Sequence, residues 1–131
     1  MKLRLQFNSI RFRLKRSEVE QFVRTGRVEE KITLGTDDDE IFRYVLESSS
    51  AVSTPRAVLT PHAVIVQVPL EAVMRWASSD QIGIEGEQAV DRQTSLRILI
   101  EKDFACIDGT DEENADTFPN PLIEERKLPE I

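Results

Sequence analysis

The sequence predicts an α+β fold in which a β-β-α-β-β unit occurs twice about a pseudo-two-fold axis. The expected form is an antiparallel barrel or a strongly curved sheet with two helices. Three observations predict it. Apolar and polar residues alternate over short runs, the period of half-buried strands. Two segments carry the i, i+3, i+4 apolar stripe of a helix. The apolar skeleton also matches itself at a shift of 54 residues, the mark of an internal repeat. At that shift Leu5 falls on Leu59, and Ile10, Phe12 and Leu14 fall on Val64, Val66 and Val68. Val19, Phe22 and Val23 fall on Val73, Trp76 and Ala77, Val28 on Ile82, and Phe42 to Glu47 on Leu96 to Glu101.

Each element has a local reason. Leu3, Leu5 and Phe7 alternate with Lys2, Arg4 and Gln6, and Ile10, Phe12 and Leu14 with Arg11 and Arg13. With an Asn8-Ser9 turn between them, these runs read as a hairpin with one apolar and one arginine-rich face. Ser17 is a good N-cap, Glu18 and Glu20 suit the positive end of a helix dipole, and Thr25-Gly26 stops the helix. Residues 28–34 and 41–47 form a second hairpin around the acidic loop Thr36 to Glu40. After a polar linker the cycle repeats: a strand at 57–59, a Pro61-His62 turn, and a strand at 64–68. Pro69 begins a helix over 70–78, where its missing N–H costs nothing. Strands at 82–87 and 96–101 complete the second unit.

One domain over 1–107 is expected, with repeats at about 2–48 and 56–102 and an acidic, proline-containing tail at 108–131. At 131 residues the chain is long enough for a real core. No apolar run approaches the ~20 residues that span a bilayer, and no secretory signal is present. The single cysteine, Cys106, excludes an internal disulfide and reads as a buried, inert thiol in a reducing cytoplasm.

The net charge of −7 hides an asymmetry. Residues 1–16 carry six basic side chains and no acid, whereas residues 103–131 carry nine acids against Arg126 and Lys127. The overall balance argues against nucleic acid, which needs a net basic footprint. A local basic hairpin can still hold a small anion.

The candidate site is therefore an anion-binding surface of Arg4, Arg11, Arg13, Arg43 and Arg97. Lys2 and Arg4 stand opposite Arg11 and Arg13, and facing like charges destabilise a sheet unless something neutralises them. Arginine forks fit phosphate and carboxylate oxygens. The expected partner is an anionic small molecule or an acidic protein segment, including the chain's own tail. The plainer alternative is a solvated face with ion pairs to Glu29, Glu47 and Glu101. Glu85, Glu87, Glu101 and Asp103 form two closely spaced carboxylate pairs, of the type that holds a divalent cation. Acids on exposed strands are equally consistent with a solvated face. The tail from Asp108 to Asp116 lacks the spacing of a calcium loop. No cofactor is expected, and His62, the only histidine, has no partner pattern for a catalytic triad. Phe22 and Trp76, at matching helix positions, read as core anchors. Exposed strand edges leave a homo-oligomer open as a third reading.

Three stretches carry a resemblance. They are Asn8 to Leu14 leading into Ser17-Glu18-Val19, then Glu101 to Cys106, then Asp116 with Phe118-Pro119-Asn120-Pro121. They resemble a family of small bacterial proteins of unassigned function, which implies a shared fold and a cytoplasmic setting and no activity. The order of elements is also similar to the CYTH, or triphosphate-tunnel, fold. That likeness implies a basic and acidic tunnel acting on triphosphates with a divalent metal. The family's E-x-E-x-K is replaced here by Lys2-x-Arg4-x-Gln6 or Arg11-x-Arg13-x-Lys15. A binding protein without catalysis is the first expectation and a tunnel phosphohydrolase the second.

Overall fold

In a computed structural model of the chain, the described residues are 1–105, 109–112 and 114–121. The first unit holds β1 (Lys2–Gln6), β2 (Ser9–Leu14), α1 (Arg16–Thr25), β3 (Arg27–Thr33) and β4 (Ile41–Ser49). The second holds β5 (Arg56–Thr60), β6 (Ala63–Pro69), α2 (Leu70–Ala77), β7 (Gly83–Ala89) and β8 (Ser95–Lys102). No helix among the described residues is long and apolar enough to cross a membrane.

The strands form two four-stranded sheets, ordered β1-β2-β8-β7 and β3-β4-β6-β5. Each sheet therefore takes its first hairpin from one unit and its second from the other. The hairpins are antiparallel, but the junction at each sheet centre, β2 with β8 and β4 with β6, is parallel. The two junctions share one register: Ser9 pairs with Arg97, and Ala63, 54 residues on, pairs with Arg43. Even the loop contacts repeat, with Arg97 N–H donating to Asn8 O at 3.0 Å and Arg43 N–H to His62 O at 2.9 Å. The sheets are mixed rather than antiparallel throughout, and they do not close into a barrel of continuous ladders. In each junction both strands run away from their turns, and the two turns lie at the same end of the sheet, so the pairing is parallel.

Side chains bridge the two seams between the sheets. At one, Ala57 N–H donates to Gln88 Oε1 at 2.7 Å and Gln88 Nε2 donates to Ala57 O at 3.1 Å. Gly86 lies against Pro55 there, so that a Cβ on it would stand 2.8 Å from the proline ring. At the other, the Met1 ammonium contacts Glu30 and Glu18, and Tyr44 Oη donates to Glu30 at 3.3 Å.

The inward parity of each strand fills the interior. Phe12, Leu14, Leu46, Val66, Val68, Ile98 and Ile100 are fully buried, with Phe22 of α1 and Val73 and Trp76 of α2 closing one end. Burial of each such side chain contributes about 1.5–3 kcal/mol.

The two halves are out of step in one place. Val28 pairs with Leu46, but the residue paired with Ile100 is Ile84, not Ile82. Ile82 is 58% exposed. Gly26 alone joins α1 to β3, in a left-handed conformation (φ 76°) suited to glycine. The α2–β7 connection is longer and shifts the register by two residues; the β7–β8 loop is two shorter than the β3–β4 loop. The shift of 54 is thus restored in β8. The first turn also differs from expectation: it is Phe7-Asn8, with Phe7 at φ 51° and almost wholly exposed.

Candidate functional site

Burying Ile10, Phe12 and Leu14 forces Arg11 and Arg13 onto the outer face of the first sheet. Antiparallel pairing sets Arg4 opposite Arg11 and Lys2 opposite Arg13. The parallel junction adds Arg97, Leu99 and Glu101 from β8, since Ile98 and Ile100 point inward. Glu85 and Glu87 of β7 complete the face, with Glu87 in register with Arg97.

Arg11 is neutralised by a two-point fork: Nε donates to Glu101 Oε1 at 2.7 Å and Nη2 to Oε2 at 2.9 Å. That hydrogen bond raises the guanidinium's pKa against the opposing effect of burial. Arg97 meets Glu85 only at 3.4 Å, with both side chains largely exposed. Such a pair contributes little. Arg4 and Arg13 form no ion pair with any described residue. Arg4, Arg11 and Arg97 line one depression of about 300 Å³, with Gln6 and Ser9 between them and Ile10 and Leu99 at its base. Guanidinium forks and an amide are donors that an oxyanion takes; the Ser9 hydroxyl already donates to Gln6 O.

Three of the five expected arginines are thus together. Arg13 lies one pleat further along β2, in a separate depression with Lys2, Lys15 and Asp103. Arg43 is not part of the face. It lies on β4 in the other sheet, 3.6 Å from Glu29. The repeat makes Arg43 the symmetry equivalent of Arg97, and the hairpin exchange sends equivalent residues to opposite sheets.

The four carboxylates proposed for a metal do not converge. Both oxygens of Glu101 are occupied by Arg11, and Glu85 faces Arg97. Asp103 is buried beyond the end of β8, where Lys2 Nζ approaches Oδ2 at 3.0 Å without hydrogen-bond geometry. The described carboxylates that do gather are Asp37, Asp39 and Glu40, in the exposed β3–β4 loop. The interior between the sheets is apolar core, and the arginines stand outside it.

The described part of the tail meets the Arg13 end of this face, where Asn114 and Thr117 line the depression with Lys2 and Arg13, but its acid Asp116 turns to helix α1. Asp116 accepts Ser17 N–H at 3.1 Å and the Ser17 hydroxyl, and its carbonyl accepts Arg16 N–H at 2.9 Å. The cap of α1 is Lys15, two residues before the expected Ser17, and Ser17 is a donor within the first turn. Cys106, Asp108, Glu113 and residues 122–131 lie outside the described residues.

Sequence reasoning passed over Lys102. It shares the inward parity of Ile98 and Ile100 and is 94% buried by that register, with 6% of its surface exposed. The expected strand, 96–101, stops one residue short of it. The stretches that carried the family resemblance meet beside it. Phe104 and Phe118 form a bridge with rings 6.2 Å apart, Ala105 N–H donates to Phe118 O at 2.9 Å, and Asn120 Nδ2 to Ala105 O at 2.9 Å.

A family model described as a family of unknown function, DUF7009, matches residues 1–122. No curated protein and no solved structure matches the chain.

Proposed function

We propose, for a chain that belongs to this family of unknown function, that the domain binds a small oxyanion on the outer face of its first sheet. One observation carries the reading. Arg4, Arg11 and Arg97 line a single depression, yet Arg4 has no carboxylate partner among the described residues and Arg97 has only a long, solvent-exposed contact with Glu85. The outer face of this sheet as a whole carries five cations (Lys2, Arg4, Arg11, Arg13 and Arg97) and three carboxylates (Glu85, Glu87 and Glu101). An anion would relieve the opposition of Arg4 and Arg11 across the strands. The reading is one of binding, because Glu101 and Glu85 are already paired with Arg11 and Arg97. Phe7, exposed on the adjoining turn in a left-handed conformation, supports it, since strain and exposed aromatics collect at working surfaces.

The test is the melting temperature in phosphate, sulfate and pyrophosphate at constant ionic strength. At saturation a rise of about 2–6 °C is expected, lost in an Arg4→Gln, Arg97→Gln double variant. A wild-type melting temperature indifferent to all three anions would end this reading.

A further inference from the structure

The second half of the chain holds a cavity where the halves differ. In the first half β4 ends near Ser48, whose N–H donates to Gly26 O at 2.9 Å and whose hydroxyl reaches the same oxygen at 3.5 Å. The equivalent residue in the second half is Lys102. Its N–H donates to Ile82 O at 3.1 Å, and its ammonium donates to Ser79 O at 2.7 Å. The longer α2–β7 connection makes room beside this side chain. Phe104 and the segment Phe118 to Pro121, which have no counterpart in the repeated unit, supply the other wall. The cavity measures about 550 Å³, within the range of small-molecule sites.

The chemistry of its walls is specific. An ammonium has three donors, and Lys102 spends one on Ser79 O. Its Nζ otherwise lies 5.4 Å from the centre of the Phe118 ring and 6.0 Å from that of Trp76. Aromatic faces attract a cation but leave its N–H groups without strong acceptors. The acid whose charge reaches it is Asp80, exposed on the connection and free to turn to water. Burial holds the amine below the ordinary lysine range, as expected of a cation short of acceptors.

We propose that this cavity binds a small monocarboxylic acid with an apolar body, the carboxylate on Lys102 Nζ and the body against Phe104, Phe118 and Pro119. The site is independent of the arginine depression. Arg97 and Lys102 have opposite parity on β8 and face opposite sides of the sheet.

Hexanoate and benzoate are the probes, with hexanol and benzyl alcohol as uncharged controls, on the full chain. Either acid is expected to bind about tenfold more tightly than its alcohol, the worth of one charge-assisted hydrogen bond. Lys102→Met should lower acid affinity by about the same factor and leave the alcohols unchanged. The wild-type protein gives a second measurement that needs no variant. With ¹³C-labelled lysine, the Lys102 Cε signal should titrate at higher pH when hexanoate is present, because a bound carboxylate favours the ammonium. Acids that bind no better than alcohols, an unaffected Lys102→Met, or a Cε titration unmoved by hexanoate would each overturn the proposal.

Discussion

Asp116 caps the first helix from 99 residues away, its Oδ1 receiving Ser17 N–H at 3.1 Å and its Oδ2 the Ser17 hydroxyl. The hydroxyl's hydrogen bond, with lesser help from Lys15 and Arg16, holds this carboxyl below the ordinary aspartate range. A depressed carboxylate contributes stability that is complete above its unfolded pKa and lost as pH falls through its folded one. Asp116→Ala should therefore destabilise the domain modestly near neutrality, since solvent screens this exposed carboxylate. The gap between wild type and variant should close on acidification below the ordinary carboxylate range. Urea denaturation at a series of pH values measures it; a gap unchanged into strong acid would show that the cap does not depend on charge.

Arg11 and Glu101 join β2 to β8 across the central parallel junction, 90 residues apart in the chain. With both side chains mostly shielded and the contact bidentate, this pair should exceed an ordinary surface pair. A double-mutant cycle on Arg11→Met and Glu101→Gln should give a coupling of about 1 kcal/mol or more. Additive single effects would mean that water screens the fork completely.

Gln88 ties β7 to β5 with two hydrogen bonds to the backbone of Ala57. No strand ladder crosses this seam. Gln88→Ala leaves a partly buried N–H and carbonyl unpaired, at a cost of about 1–2 kcal/mol. Hydrogen exchange at the Ala57 amide should accelerate more than exchange at amides inside the β5–β6 ladder. Uniform acceleration would locate the loss in global stability rather than at the seam.

Much of this architecture was legible because it is local. The parity of Ile10, Phe12 and Leu14, of Val64, Val66 and Val68, and of Ile98 and Ile100 is written in consecutive residues. So are the stripes Val19/Phe22 and Val73/Trp76, and all these residues are buried. What a single chain does not display is which hairpin pairs with which. Ser9 opposite Arg97 and Ala63 opposite Arg43 are non-local choices, and they decide that Arg97 joins Arg4 and Arg11 while Arg43 does not. The two-residue shift at β7 was hidden because a compensating change in the next loop restores the match. Asp116 gave no sign of capping a helix that it meets only in the folded chain. Lys102 had the right parity for the interior, but its charge argued against burial until aromatic walls and a carbonyl came together around it.

Phe7 pays for its turn with strain: a phenylalanine at φ 51°, 98% exposed, has neither favourable backbone nor packing. A left-handed conformation costs a side chain about 1–2 kcal/mol that glycine avoids. Phe7→Gly should therefore stabilise the domain by up to about 1 kcal/mol once the extra freedom of the unfolded glycine is subtracted. Chemical denaturation reads this directly. If the oxyanion reading holds and Phe7 serves the adjoining depression, the same variant should also show a smaller rise in melting temperature with phosphate. A less stable Phe7→Gly would mean that the turn depends on contacts of the ring.

Lys102 gives a dependence on pH of the same sign as Asp116, but in the alkaline range and from a penalty on the charged form rather than a gain. Burial places its folded pKa below the ordinary lysine value, and only Asp80 opposes this. Between the folded and unfolded values the unfolded chain binds more protons, so stability rises with pH there. At lower pH the full cost of desolvating the ammonium is present in the folded state. Lys102→Met removes both the charge and its titration at nearly constant volume. The stability of wild type minus that of Lys102→Met should therefore climb as pH rises toward the ordinary lysine range and level off above it. Paired urea titrations from neutral to alkaline pH would show this. A difference that stays flat or falls would mean that the Ser79 carbonyl and the Trp76 and Phe118 rings compensate the ammonium fully, leaving no deficit for a ligand's carboxylate to fill.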